Sequence, residues 1–120
     1  MLWNARKNFS PPVDVVETDE HIVILIEIAG MNSEDFNIRL ANNYLVVHGM
    51  RHRPQIEGKA YHRVEIGFGE FRLDIPLIWS VQQEIVSAVY QDGFLRIDLP
   101  RLPEKHIRIV NLNEESIADE

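Results

Sequence analysis

His48 and His52 stand four residues apart, the spacing that holds zinc from one face of a helix. The residues around them, Tyr44 to Met50, instead alternate as a strand, where that spacing parts the Cβ atoms by about 13 Å, too far for one ion. Arg51, His52 and Arg53 form a local basic cluster that reads as a solvated loop face or part of a subunit contact, because acids dominate the rest of the chain. Gly67-Phe68-Gly69 reads as glycine in a turn. There is no Gly-x-Ser-x-Gly elbow, no Walker phosphate loop and no His-Glu-x-x-His helix, so the sequence predicts no catalytic residue, no cofactor and no metal. What remains is apolar chemistry. In Ile107-Arg108-Ile109 an extended backbone would project both isoleucines from one face, about 6.6 to 7 Å apart. Leu2, Trp3 and Phe9 lie on a segment too short to make a core. They are candidates for transient contact with exposed apolar surface, or for packing on their own domain or a neighbour.

The chain that must position these residues has 120 of them, room for one domain with short tails. A hydrophobic share of 45% and a charged share of 26% exclude wholesale disorder and collagen-like repeats. Twelve basic against nineteen acidic residues leave a net charge of -7, which repels phosphate backbones and anionic bilayers and predicts neither nucleic-acid nor membrane partners. No apolar run approaches the roughly 20 residues of a membrane span, and no signal-peptide core opens the chain. With no cysteine, stability needs no oxidising compartment, and a cytoplasmic location is expected.

Apolar residues recur with period two almost throughout, the pattern of strands. His21 to Ile28 carries Ile22, Ile24, Ile26 and Ile28 on one face and Val23 and Leu25 on the other, a central strand covered on both faces along much of its length. Phe36, Ile38 and Leu40 lead through Asn42-Asn43 into Tyr44 to Met50, a hairpin. Ile85 to Tyr90 and Phe94 to Leu99 flank Asp92-Gly93, a second hairpin with Leu95, Ile97 and Leu99 inward. Phe71, Leu73 and Ile75 add a strand and Val13 to Glu17 an edge strand. About seven strands with a turn roughly every 8 to 12 residues predict an all-β, immunoglobulin-like two-sheet β-sandwich. Only Asn32-Ser33-Glu34-Asp35 offers a helical turn. The pattern weakens between Met50 and Gly69, a long connection of the kind that carries function. The expected organisation is an arm at 1–10, a domain at 11–102 and an extension at 103–120 whose end is acidic.

The stretch Ala88-Val89-Tyr90-Gln91-Asp92-Gly93-Phe94-Leu95-Arg96-Ile97-Asp98-Leu99-Pro100 resembles the signature near the end of the α-crystallin domain of small heat-shock proteins. Ser10 to Thr18, Tyr61-His62-Arg63 with Glu65 and Gly69-Glu70-Phe71-Arg72, and Asp74-Ile75-Pro76-Leu77 agree with the bacterial type in order and spacing, over residues 10–110. Phe94 stands where Val or Ile is commoner, and Asp74 where many relatives carry a base.

The resemblance implies an ATP-independent holdase that binds partly unfolded clients, homodimeric as its unit and assembled further as a homo-oligomer. Ile107 and Ile109 look like its C-terminal anchor, docking by strand addition plus two apolar knobs into a neighbour's groove. The competing reading is a last strand on their own domain. The groove candidates are Ile38, Leu40, Val86, Ala88 and Tyr90, with small Ala88 leaving room for an isoleucine; ordinary core packing is the alternative. Tyr61, His62, Arg63 and Glu65 look like the loop that carries a strand to the partner's edge, against a plain solvated loop. A co-chaperone-type module binding a folded partner is the rival reading of the whole chain, ahead of a small-ligand sandwich.

Overall fold

A computed structural model describes residues 9–41, 43–103 and 106–113. Seven strands run in order: β1 (Val13–Glu17), β2 (His21–Glu27), β3 (Phe36–Ala41), β4 (Tyr44–Arg51), β5 (Gly69–Pro76), β6 (Ser87–Gln91) and β7 (Phe94–Pro100). They form two antiparallel sheets, β1-β2-β7-β6 and β3-β4-β5, a four-on-three sandwich.

The period-two reading locates the core. Ile22, Ile24 and Ile26 of β2 pair in register with Leu99, Ile97 and Leu95 of β7. All six are buried, and they face Leu45, Val47, Phe71 and Ile75 from the other sheet. Each such side chain contributes about 1.5–3 kcal/mol by leaving water. Register alternation sends Val23 and Leu25 to the outward face, where they are only half-buried instead of covered as expected. The hairpin joining β6 and β7 turns on Asp92 (φ 54°) and Gly93 (φ 83°), two consecutive left-handed residues whose twist suits a two-residue connection.

Two boundaries differ from the sequence expectation. The strand expected from Ile85 starts at Ser87, because Gln83–Ile85 winds into a 3-10 turn that leaves Ile85 exposed. No strand forms in residues 52–68, where the sequence expected one around Tyr61-His62-Arg63. The Asn32 turn is present: Ser33–Asp35 is 3-10, with the Asn32 N–H donating to Asp35 Oδ2 at 3.0 Å. Past Pro100 the chain stays tied for two residues, the Arg101 N–H donating to Glu20 O and the Leu102 N–H to Ser80 O, both at 2.8 Å.

Candidate functional site

β3 and β6 are each one edge of their sheet, and both lie on one side of the sandwich, where the Phe36 and Tyr90 rings meet at a tilt of 55° with centroids 5.2 Å apart. Tyr90 closes that end: its hydroxyl donates to Ile28 O at 2.9 Å and accepts the Met31 N–H at 3.3 Å. Register settles which side chains point in. Ile38 and Leu40 stand opposite buried Val47 and Leu45, and Ala88 and Tyr90 opposite buried Ile97 and Leu95. Ile38, Leu40, Val86 and Tyr90 are half-buried against the core. Ala88 is exposed although it faces the interior. The gap between the two edges is therefore open at Ala88, an apolar slot flanked by edge-strand backbone groups that lack a ladder partner on one side.

Ile107 and Ile109 are 84% and 91% exposed, and residues 106–110 form no strand. In a single copy they are neither seated in the slot nor added to their own sheet.

The long connection leaves β4 at Arg51 and re-enters at Gly69, which is paired to Arg51. Arg51 clamps this root: Nε and Nη2 donate to Gly67 O, the Nε bond at 2.9 Å, and Nη1 donates to Ala29 O at 3.1 Å. Its guanidinium also lies 4.6 Å from the Phe9 ring centroid and 5.2 Å from that of Phe68. Arg53 continues the stack over Phe68 at 4.5 Å and Tyr61 at 5.5 Å. Farther out, Tyr61, His62, Arg63 and Glu65 are all exposed, with Arg63 and Glu65 3.7 Å apart. Such an exposed pair adds little stability.

Residues 14–113 match the Hsp20/alpha crystallin family. The chain belongs to that family. The small heat shock protein C2 of Rickettsia felis is 27% identical to it over 110 residues, 91% of this chain and 71% of that protein. The 17.7 kDa class II heat shock protein of Arabidopsis thaliana is 30% identical, over 85% of this chain and 67% of its own length. Among solved structures, a small heat-shock protein from Xylella fastidiosa superposes with a TM-score of 0.75 at 21% identity, covering 87% of this chain and 96% of that one. The hspA protein of Xanthomonas axonopodis does so at 0.73 and 23%, covering 81% and 98%. These superpositions show the α-crystallin sandwich; the family's name and its relatives' names place the chain among stress-response chaperones.

For this small heat-shock domain, sequence reasoning left Phe9 open between outside contacts and packing on its own domain or a neighbour, and missed Gly67 as its partner at the loop root. Phe9 is half-buried on its own domain in this conformation, with its ring 5.6 Å from Phe71. Gly67 lies beneath it: a Cβ there would sit 2.6 Å from Phe9 Cβ. The Phe and Gly were both visible in sequence, but nothing local said that they meet across 58 positions. Leu2 and Trp3 lie outside the described residues. His48 sits within β4 and His52 beyond its end, where His52 Nε2 is 3.8 Å from Asp35 Oδ1. Asp74 is paired with Arg72 of its own strand at 3.0 Å. Among the described residues no helix is long and apolar enough to cross a membrane.

Proposed function

We propose that this chain is an ATP-independent holdase, non-enzymatic, which binds partly unfolded proteins and suppresses their aggregation. The observation that carries the assembly side of this reading is the inward-facing but exposed Ala88 in a slot between β3 and β6, together with the two free isoleucines of the tail. Docking Ile107 and Ile109 of one copy between Ile38, Leu40, Val86, Ala88 and Tyr90 of another removes roughly 3–6 kcal/mol worth of apolar surface from water before ordering and association costs. What survives is a weak link, about millimolar to micromolar, that holds by repetition and still exchanges.

The domain spans residues 11–102 between an arm at 1–10 and an extension at 103–120. Its unit is a homodimer in which the segment around Tyr61, His62, Arg63 and Glu65 joins the partner's free edge, supported by its exposure and the clamp at its root. Apolar surface on the assembly then competes with the clients' own association, and no bond is made or broken. The cysteine-free composition supports a cytoplasmic setting. A model client heated without nucleotide tests this, with light-scattering mass recorded for the parent and for Ile107→Ala/Ile109→Ala. Suppression by the parent and smaller assemblies of the variant are expected; no suppression at molar excess sinks the holdase reading, and unchanged mass sinks the anchor.

A further inference from the structure

The tail and the slot carry charges that their apolar fit does not use. In Ile107-Arg108-Ile109 the knobs are alike at both ends, so the isoleucines alone fit the slot in either direction and on either edge. Laid out as a strand, the segment puts Arg108 on the face opposite both knobs. Arg108 therefore lies over the outward face of whichever sheet the tail extends, and the residues there choose the seat.

Two seats are available. Phe36 and Tyr90 close one end of the slot with rings whose centroids are 5.2 Å apart, so the knobs have places beside Ile38 and Leu40 on β3 or beside Val86 and Ala88 on β6. On β3 the residue between the knobs would stand next to exposed Arg39, a like charge. On β6 it would stand next to Ser87, short and exposed, whose partner on β7 is Asp98. Because the central residue falls at Ser87 whichever way the tail runs, this match does not depend on direction. Asp98 already accepts Arg96 Nε at 3.0 Å and Nη2 at 3.2 Å, and that hydrogen bonding holds the Arg96 guanidinium above the ordinary arginine range. The pair is neutral as a whole, and each carboxylate oxygen keeps a lone pair for a second guanidinium. A tail added to β6 lies two strand spacings from β7, about 10 Å, a gap that an extended arginine and an aspartate cover between them.

We infer that the tail of a second copy extends β6 rather than β3, with Ile107 and Ile109 beside Val86 and Ala88 and with Arg108 reaching over Ser87 to Asp98. This rests on the slot reading above and adds to it the edge, the register and a charged contact that selects an arginine between the knobs.

A labelled peptide of residues 103–113, titrated by anisotropy into full-length Ile107→Ala/Ile109→Ala chain at low salt, reads the contact. Arg108→Gln in the peptide should weaken binding about 2–5-fold, the range of an exposed ion pair, and the difference should shrink as salt rises. Asp98→Asn in the chain should abolish the difference, whereas Asp74→Asn, which opens the matching Arg72 pair on the other sheet, should preserve it. Ser87→Asp, an exposed change, should tighten the parent peptide and not the Arg108→Gln peptide, and it keeps the test decisive if Asp98→Asn does not fold. Equal affinity of the two peptides for the parent chain overturns the contact and leaves the slot standing. So does a difference erased as fully by Asp74→Asn, the mark of long-range charge, or a parent peptide tightened by Arg39→Gln, the mark of seating on β3. Absence of any binding by the parent peptide sinks the slot itself, and the contact falls with it.

Discussion

Replacing Ala88 by leucine should raise the stability of the domain and weaken the assembly at the same time. Ala88 faces inward opposite fully buried Ile97, yet it is exposed, so the space beside it opens to solvent. A leucine there extends into that space and buries part of three added carbons, a gain of about 1 kcal/mol at about 0.8 kcal/mol per buried methylene. For a domain of this size that is a rise of about 4–8 °C in Tm. A closed core site would give the opposite sign, with overpacking costing about 1–3 kcal/mol. The same leucine occupies the place of one incoming isoleucine, whose burial contributes about 1.5–3 kcal/mol, so the tail should bind roughly 10–150-fold more weakly. Fluorescence anisotropy of a labelled peptide of residues 103–113 measures this, in an Ile107→Ala/Ile109→Ala background so that the resident tail does not compete. Urea unfolding of the same proteins gives the stability. Unchanged peptide affinity, or a domain destabilised by more than about 1 kcal/mol, refutes the open-edge reasoning.

Gly49→Ala should cost at least about 2 kcal/mol, because its Cβ would stand 2.3 Å from Asp35 O and 2.9 Å from Phe71 Cε2; the shift in urea midpoint reads this. Phe9→Ala removes a half-buried ring and its contact with Arg51, an expected loss of about 1–2 kcal/mol, and should quicken proteolysis within residues 52–68 relative to the rest of the chain. Arg51→Ala should quicken it as well, and Arg51→Lys should not restore the parent pattern, since an ammonium cannot bridge two carbonyls and lie flat on rings. Subunit exchange, followed by energy transfer between labelled copies, should accelerate on heating as the weak links loosen; a rate flat with temperature contradicts a tail-linked assembly.

The sandwich was legible because its core is written with period two: Ile22, Ile24 and Ile26 against Leu95, Ile97 and Leu99 admit one inward face. Val23 and Leu25 misled for the same reason. Two apolar residues on the second face look like a covered strand, and sequence does not show whether a layer lies over them. Ile85 continued the alternation into β6, but a 3-10 turn absorbed it, a boundary decided by backbone hydrogen bonds. The candidate groove residues were named from resemblance, and only register shows that Ala88 points inward while staying exposed. Arg51 looked like part of a basic surface, whereas its guanidinium ties Ala29, Gly67 and Phe9 together, partners spread along the chain that no local pattern joins. Tyr61 to Glu65 and Ile107 to Ile109 are exposed and outside any strand, so no partner within the described residues marks what they were expected to meet.

The most direct test of the holdase reading is to heat a labelled client with this protein in the absence of any nucleotide, cool, and separate the mixture by size exclusion with mass measured on line. A soluble complex containing both chains, with the client kept out of the pellet, is the expected result. Client entirely in the pellet, with the protein eluting at its unheated mass, would contradict it.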